Sequence, residues 1–442
     1  MSFRILSLDG GGSWSLLQIM TLLDLYRSGG ALLTGHHVLR DFDLVVATGS
    51  GSIVLGGLVK DLPLTEIRRF FEDAALRRSV FAPVGPQRNR LARLLGRPLR
   101  SNGRYSTSGK LDGLRRFFNS DGGEAAIGDT TLDALKTRIG LPAQVMILAF
   151  DYDRRRDVVF RSNLQSKGAD FGTPPIATLA EAVHASTTAP LGFFDTPANV
   201  SRRRRCWDGA LTGNNNPVLT AISEALANGV EPHGIEVLSI GTGSVVLPLA
   251  EGNEDAATAK LVRRRLPAKG GDDLWELADI LLDDPPDTAS LTAYLALGHA
   301  APDDGAQRTN GGRLVRMNPL LQPIRVANGW VRPAGLIEAE TGADEFVRLR
   351  EIAIDSVADD EIALIKKFGT LWHGDAVVNQ PIRANADTLE CEIGQRWYNE
   401  ARARWLALTG EQTDVSTPTI GPTTAPANWS NPPPRLGGSK VV

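Results

Sequence analysis

The chain is 442 residues long and carries 48 Lys and Arg against 51 Asp and Glu, a formal charge of −3. That length can bury one large core or two, and the charge balance excludes whole-chain attraction to nucleic acid or to anionic membranes. Cys206 and Cys391 are the only cysteines, with no His or further Cys at ligand spacing, so neither a disulfide framework nor a metal site is expected.

Taken in chain order, residues 3–8 (FRILSL) form a β-prone run, three glycines follow, and Leu16, Ile19, Met20 and Leu23 then recur at helical spacing. The same strand, glycine turn and helix recur at 42–60, where FDLVVAT leads into GSGS and IVLGGLVK. Two such units predict a partly parallel sheet. Residues 62–110 read as helical and then irregular, with arginines and leucines interleaved from Arg88 to Arg104, and are expected to form a cap. Strands are predicted at 143–150 and 157–162, joined by DYDRRR in the manner of a hairpin, and a proline-terminated helix at 178–190. WDGALTGNNNP (207–217) is rich in turn formers, a helix with a glycine stop follows, and IEVLSIGTGS (235–244) repeats the strand and glycine turn.

The α/β core is expected to close near residue 250. Amphipathic stretches at 272–300 (Leu274, Leu277, Ala278, Leu281) and 345–373 predict a mainly helical extension over 251–410 packing on that core. Residues 411–442 are Thr-, Pro- and Gly-rich and are expected to be a disordered tail. No apolar run reaches about 18 residues, and no basic segment precedes an apolar one at the amino terminus, so a cytoplasmic chain without leader peptide or spanning helix is expected.

Three motifs can carry chemistry. In DGGG, Gly10, Gly11 and Gly12 lie between a strand and a helix, where free amides and a positive helix end can hold an oxyanion. A plain tight turn and a dinucleotide loop are the alternatives, although Ser15 stands where a GxGxxG pattern needs glycine. ATGSGS (47–52) is placed like a nucleophile elbow, yet Thr48 and Ser52 occupy the glycine positions that a GxSxG centred on Ser50 requires. Asp208 in WDGA is a carboxylate in a turn and a candidate general base, or an ordinary Asp-Gly turn.

Read together, LSLDGGG, FDLVVATGSGSIVLGGL, HASTTAP, DGALTGNNNP and LSIGTGS resemble the successive blocks of patatin-like phospholipases over residues 3–245, with weaker similarity at 104–106 and 313–321. The resemblance implies a three-layer α/β/α core around a central, largely parallel sheet, with C-terminal helices added. It implies hydrolysis of lipid acyl esters by a Ser–Asp dyad, with Asp208 as base and Gly10, Gly11 and Gly12 as oxyanion loop. It calls for no histidine, metal or cofactor, and for a lipid or ester substrate met by peripheral membrane contact.

In that alignment Gly49 occupies the nucleophilic serine's position, and Trp14 stands where the family has a basic residue. Without an Oγ no acyl-enzyme forms, so an impaired enzyme is expected. Three explanations stand: a pseudoenzyme that binds lipid or protein without cleavage, a chain altered at this position, or a nucleophile shifted to Ser50 or Ser52. Arg202 to Arg205, beside Asp208, and Arg88 to Arg104 are candidates for attracting anionic head groups, but only nine of the 48 basic residues are lysine, so arginine runs are read first as composition.

Overall fold

A computed structural model describes residues 2–410 except 28–32, 82–103, 121–125, 169–175, 191–192, 201–203, 265–285, 302–307, 328, 339–343 and 386–387. The expected tail at 411–442, the arginine–leucine stretch of 88–103 and the leucine pattern at 274–281 lie outside the described residues, as do Arg202 and Arg203.

The central sheet is built from β1 (Phe3–Leu8), β2 (Leu44–Thr48), β3 (Gln144–Asp151), β4 (Arg156–Arg161), β5 (Ala198–Val200), β6 (Arg204–Asp208), β7 (Ile235–Ile240) and, after the short strand β8 (Ser244–Val245), β9 (Leu314–Met317). Its order is β5-β6-β3-β2-β1-β7-β9, with β4 also on β3. The five strands from β3 to β9 run parallel, whereas β4, β5 and β6 add antiparallel pairs at one side. This is the α/β architecture with a largely parallel sheet that the resemblance implied.

The apolar runs of β1, β2 and β7 are buried on both faces, as parallel strands covered by helices must be. Their side chains alternate between two cores. Leu6, Leu8, Val45, Ala47, Val145 and Ile147 face a large cluster that takes in the helices Leu16–Leu25, Gly51–Val59, Thr107–Phe118 and Leu179–Ser186. Ile5, Leu44, Val46, Met146 and Val237 face a second cluster under the helices Val218–Ala227 and Pro286–Ala296. The DYDRRR connection is a hairpin that pairs Asp151 with Arg156.

Chain on both sides of residue 250 enters these layers. β9 pairs with β7 as the sheet's last strand, and the helix Asp359–His373 sends Ile365, Phe368 and Trp372 into the same cluster as the helix Leu16–Leu25. Phe42 stacks on Trp405 at 5.8 Å. In the stretch 62–110, Leu64, Ile67, Phe70, Phe71 and Val80 also belong to that cluster. The stretch 345–373 is two helices, Glu345–Glu351 and Asp359–His373, and the break between them matters for the site below.

Ile5 is fully buried at the centre of β1. Ile5→Ala is expected to cost about 3 kcal/mol through lost burial and a residual cavity, which urea unfolding would register as a lower midpoint at unchanged slope.

Candidate active site

Three strand ends meet at one point because of how β3 shares its edges. β4 occupies one edge of β3 along 146–151. On the other edge, β2 pairs up to Thr48 opposite Leu148, and β6 takes over with Asp208 opposite Ala149. The end of β2 and the end of β6 therefore abut, and the turn at Gly49 faces Asp208.

Gly49 has φ of +53°, a left-handed conformation that a residue with a side chain enters at a cost. A Cβ built on it would lie 3.4 and 3.5 Å from the two Asp208 carboxylate oxygens and 3.1 Å from the Gly10 Cα. Ser186 holds the turn: its hydroxyl accepts from the Gly49 N–H at 2.9 Å and donates to the Leu148 carbonyl at 2.5 Å. The Ser52 hydroxyl donates back to the Gly49 carbonyl at 2.5 Å.

Gly10, Gly11, Gly12, Ser50 and Asp208 line one narrow cavity of about 60 Å³, closed by Ile53, Val80, Phe81, Phe193 and Phe194. Gly10 donates to the Asn215 carbonyl at 3.0 Å and Gly11 to Ser50 Oγ at 3.2 Å. Gly12 has φ of +61°, and a Cβ there would run into the Ile354 carbonyl oxygen. Ile354 and Asp355, delivered by the break between the two C-terminal helices, also line the cavity.

Ser50 is nearly buried, and its hydroxyl lies 2.6 Å from that of Ser15 besides accepting from Gly11. The structure thus ties the Ser50 and Ser52 hydroxyls into the loop and the turn. His184 is buried in its helix, and burial holds its imidazole well below the usual range; it makes no hydrogen bond to Asp208. Arg204 and Arg205, from the arginine run, pair with Asp151 and Asp153.

Asp208 carries a shifted acidity with clear causes. Burial pushes its carboxyl up to about 6, against a bond from the Ala210 N–H at 3.0 Å and the nearby charge of Lys110. A carboxyl in that range is poised for proton transfer near neutrality. Its own N–H donates to the Thr188 carbonyl at 2.8 Å.

Lys110 was not legible as a site residue in the sequence. It is fully buried, and its ammonium donates to the His184 carbonyl at 3.0 Å, Thr187 Oγ1 at 3.0 Å and Thr188 Oγ1 at 2.6 Å, 4.1 Å from the ring centre of Phe194. Burial drives its pKa well down, and Asp208 pulls it back up. One lysine therefore holds the segment whose carbonyl positions Asp208 and places a cation beside that carboxylate.

A second buried ionic contact supports the glycine loop. Arg316 of β9 reaches across β7, donating to Ser239 Oγ at 2.8 Å and to Asp9 Oδ2 at 2.5 Å. Burial pushes the Asp9 carboxyl up, and the Arg316 guanidinium opposes that shift. Thr242 Oγ1 donates to the Gly10 carbonyl at 2.6 Å. Among the described residues no group of three His, Cys, Asp or Glu could hold a metal ion, and no helix is long and apolar enough to cross a membrane.

Comparison with known proteins gives one family. The model of the patatin-like phospholipases matches residues 6–222. No curated protein matches the chain. Among solved structures, the crystal structure of VipD from Legionella pneumophila is similar with 10% identity and a TM-score of 0.33, over 83% of this chain and 67% of that one.

Removing one partner of the Asp9–Arg316 pair leaves a buried charge uncompensated, so Arg316→Met is expected to cost about 3–5 kcal/mol in chemical unfolding. Asp9→Asn combined with Arg316→Met should cost less than the sum of the two single changes, and strict additivity in that cycle would show that the pair is not coupled.

Proposed function

Through residues 6–222 the chain belongs to the patatin-like phospholipase family, and we propose that its cavity is a lipid acyl-ester hydrolase site of the Ser–Asp kind that lacks the nucleophilic oxygen. The observation that carries this reading is the 3.4–3.5 Å between the Gly49 Cβ position and both oxygens of Asp208. An Oγ one bond further out falls within hydrogen-bond reach of that carboxylate.

With serine at 49 the chemistry follows from the geometry. The Oγ attacks the ester carbonyl while Asp208 takes its proton, and the carbonyl oxygen becomes an oxyanion beside the Gly10–Gly12 loop, where the Gly11 amide would exchange its bond to Ser50 Oγ for one to the oxyanion. Asp208 then returns the proton to the leaving alcohol; water, deprotonated by the same carboxylate, attacks the acyl carbon, and Asp208 passes that proton to the serine Oγ as the acid leaves. No histidine enters.

With glycine at 49 the first bond cannot form, and hydrolysis is impaired by several orders of magnitude. The missing Oγ also favours a second reading, in which the cavity holds an acyl chain without cutting it. Ser50 is a poor substitute nucleophile, since its hydroxyl is engaged by Ser15 and the Gly11 amide.

Gly49→Ser decides between these readings. On nitrophenyl esters and phospholipid vesicles, the variant is expected to hydrolyse where the native chain does not, at a stability cost of about 1 kcal/mol for a side chain at positive φ. Equal activity in both chains would rule out Gly49 as the nucleophile's position. Inactivity in both, with tight lipid binding, would favour the binding reading.

The pH profile of the variant follows from Asp208. The base works ionised, so the rate should rise with pH through about 6 and fall away below it. Adding Lys110→Met removes the cation that holds this carboxyl down, so the acid limb should move to higher pH. A lysine that merely stabilised the fold would lower the melting temperature and leave the limb where it was.

A further inference from the structure

The glycine loop borders a second and larger cavity of about 340 Å³, which shares Gly10, Gly11, Asn215 and Ile354 with the first. The two differ in what they can hold. Pockets that enclose a whole organic ligand run to about 300–1,000 Å³, and the space of about 60 Å³ beside Asp208 falls far short of that. An acyl chain whose carbonyl lies at Gly10 and Gly11 therefore needs room elsewhere. The larger cavity begins at the same two residues, and its volume, at the small end of that range, suits one chain and not two.

Polar side chains of its wall are engaged with other parts of the protein. Asp9 is bonded to Arg316, Thr242 donates to the Gly10 carbonyl, and Asn216 Nδ2 donates to Ser290 Oγ at 3.2 Å. Asn318 Nδ2 donates to Ser244 Oγ at 3.0 Å and to Gln380 Oε1 at 2.6 Å. Arg350 Nη1 donates to the Lys260 carbonyl at 3.1 Å, with the Glu351 carboxylate as its counter-charge. What the wall leaves unsatisfied is apolar surface, supplied by Trp14, Val246, Leu321, Leu349 and Phe368. Hydrocarbon covers such surface at a gain of about fourfold in affinity per methylene.

Trp14 is held on two sides. It meets Phe368 edge to face at 6.1 Å. Gly243, at φ of +97°, lies against the indole, where a Cβ would stand 3.4 Å from Trp14 Cε3. We infer that the larger cavity is the site of a single unbranched, uncharged acyl chain, laid along Trp14, Leu349 and Phe368 from a carbonyl at the glycine loop, and that it limits the chain length the protein takes. The inference rests on the acyl-ester reading of the neighbouring site and adds where the chain lies.

Calorimetric titration of the full native chain with methyl butyrate, hexanoate, octanoate, decanoate and palmitate tests this. Affinity is expected to rise about fourfold per methylene and to level off before palmitate. Methyl ω-bromoundecanoate should quench part of the tryptophan emission of the native chain but none in Trp14→Phe, which keeps an aromatic wall and should still bind the ester. Val246→Trp should take room for about two methylenes and lower the affinity for decanoate about tenfold, with butyrate unchanged. Affinity independent of length, the same quench in Trp14→Phe, or native decanoate binding in Val246→Trp would overturn the inference. Ester hydrolysis by Gly49→Ser separates the two readings. A hydrolysing variant, where the native chain shows neither length dependence nor a Trp14-dependent quench, sinks the chain site alone; an inert variant, where both are present, sinks the acyl-hydrolase reading alone.

Discussion

The Asp9–Arg316 ion pair fixes the glycine loop, and the geometry of the site depends on where that loop lies. Asp9 ends the run that begins with β1, while Arg316 comes from the sheet's edge strand two positions away, so the guanidinium must cross β7 to make the contact. Taking both charges out of water is costly, and the surroundings compensate with further bonds: Ser239 to the guanidinium, Gln18 Nε2 to the Asp9 carbonyl at 2.9 Å, and Thr242 to the next carbonyl. A loop of three glycines has little side-chain packing of its own to hold it. These polar anchors replace that packing.

Against that fixed loop, the position of Asp208 follows from strand order. β6 can dock on β3 only beyond the end of β2 because β4 already holds the opposite edge. The carboxylate is thereby delivered to the tip of the Gly49 turn without a dedicated loop. The cost of this placement shows in its acidity: a carboxyl pushed up to about 6 is less stable as an anion here than in water. Lys110 is the nearby counterweight, itself destabilised by burial. Two buried ionisable groups that each shift the other toward charge are an expensive way to fill a core, and perturbed pairs of this kind cluster at functional sites.

The sequence carried the strand–glycine–helix units, because a parallel strand covered on both faces reads as an unbroken apolar run and the glycine turns punctuate it. It also carried Gly10, Gly12 and Gly49, whose neighbours leave no room or demand positive φ. Lys110 and Arg316 were not legible. A lone lysine in an amphipathic helix reads as solvated, and its partners are 74–78 residues away; Arg316 meets Asp9 across 307 residues. Pairings of that range are set by topology, and local pattern holds no record of them. The break that carries Ile354 and Asp355 to the cavity was hidden for a related reason, since both flanking stretches keep helical spacing.

The arginine-rich composition makes runs of arginine poor guides, and the structure sharpens the point. Arg204 and Arg205, in the conspicuous run before Asp208, pair with acids on the β3–β4 hairpin, so their charges are largely cancelled locally. Arg263 and Arg350 belong to no shared run, yet the fold brings them to one cavity, where the Glu351 carboxylate offsets at Arg350 the repulsion from Arg263. Recognition of an anion depends on uncancelled charge beside a surface that can exclude water, and local density of basic residues measures neither.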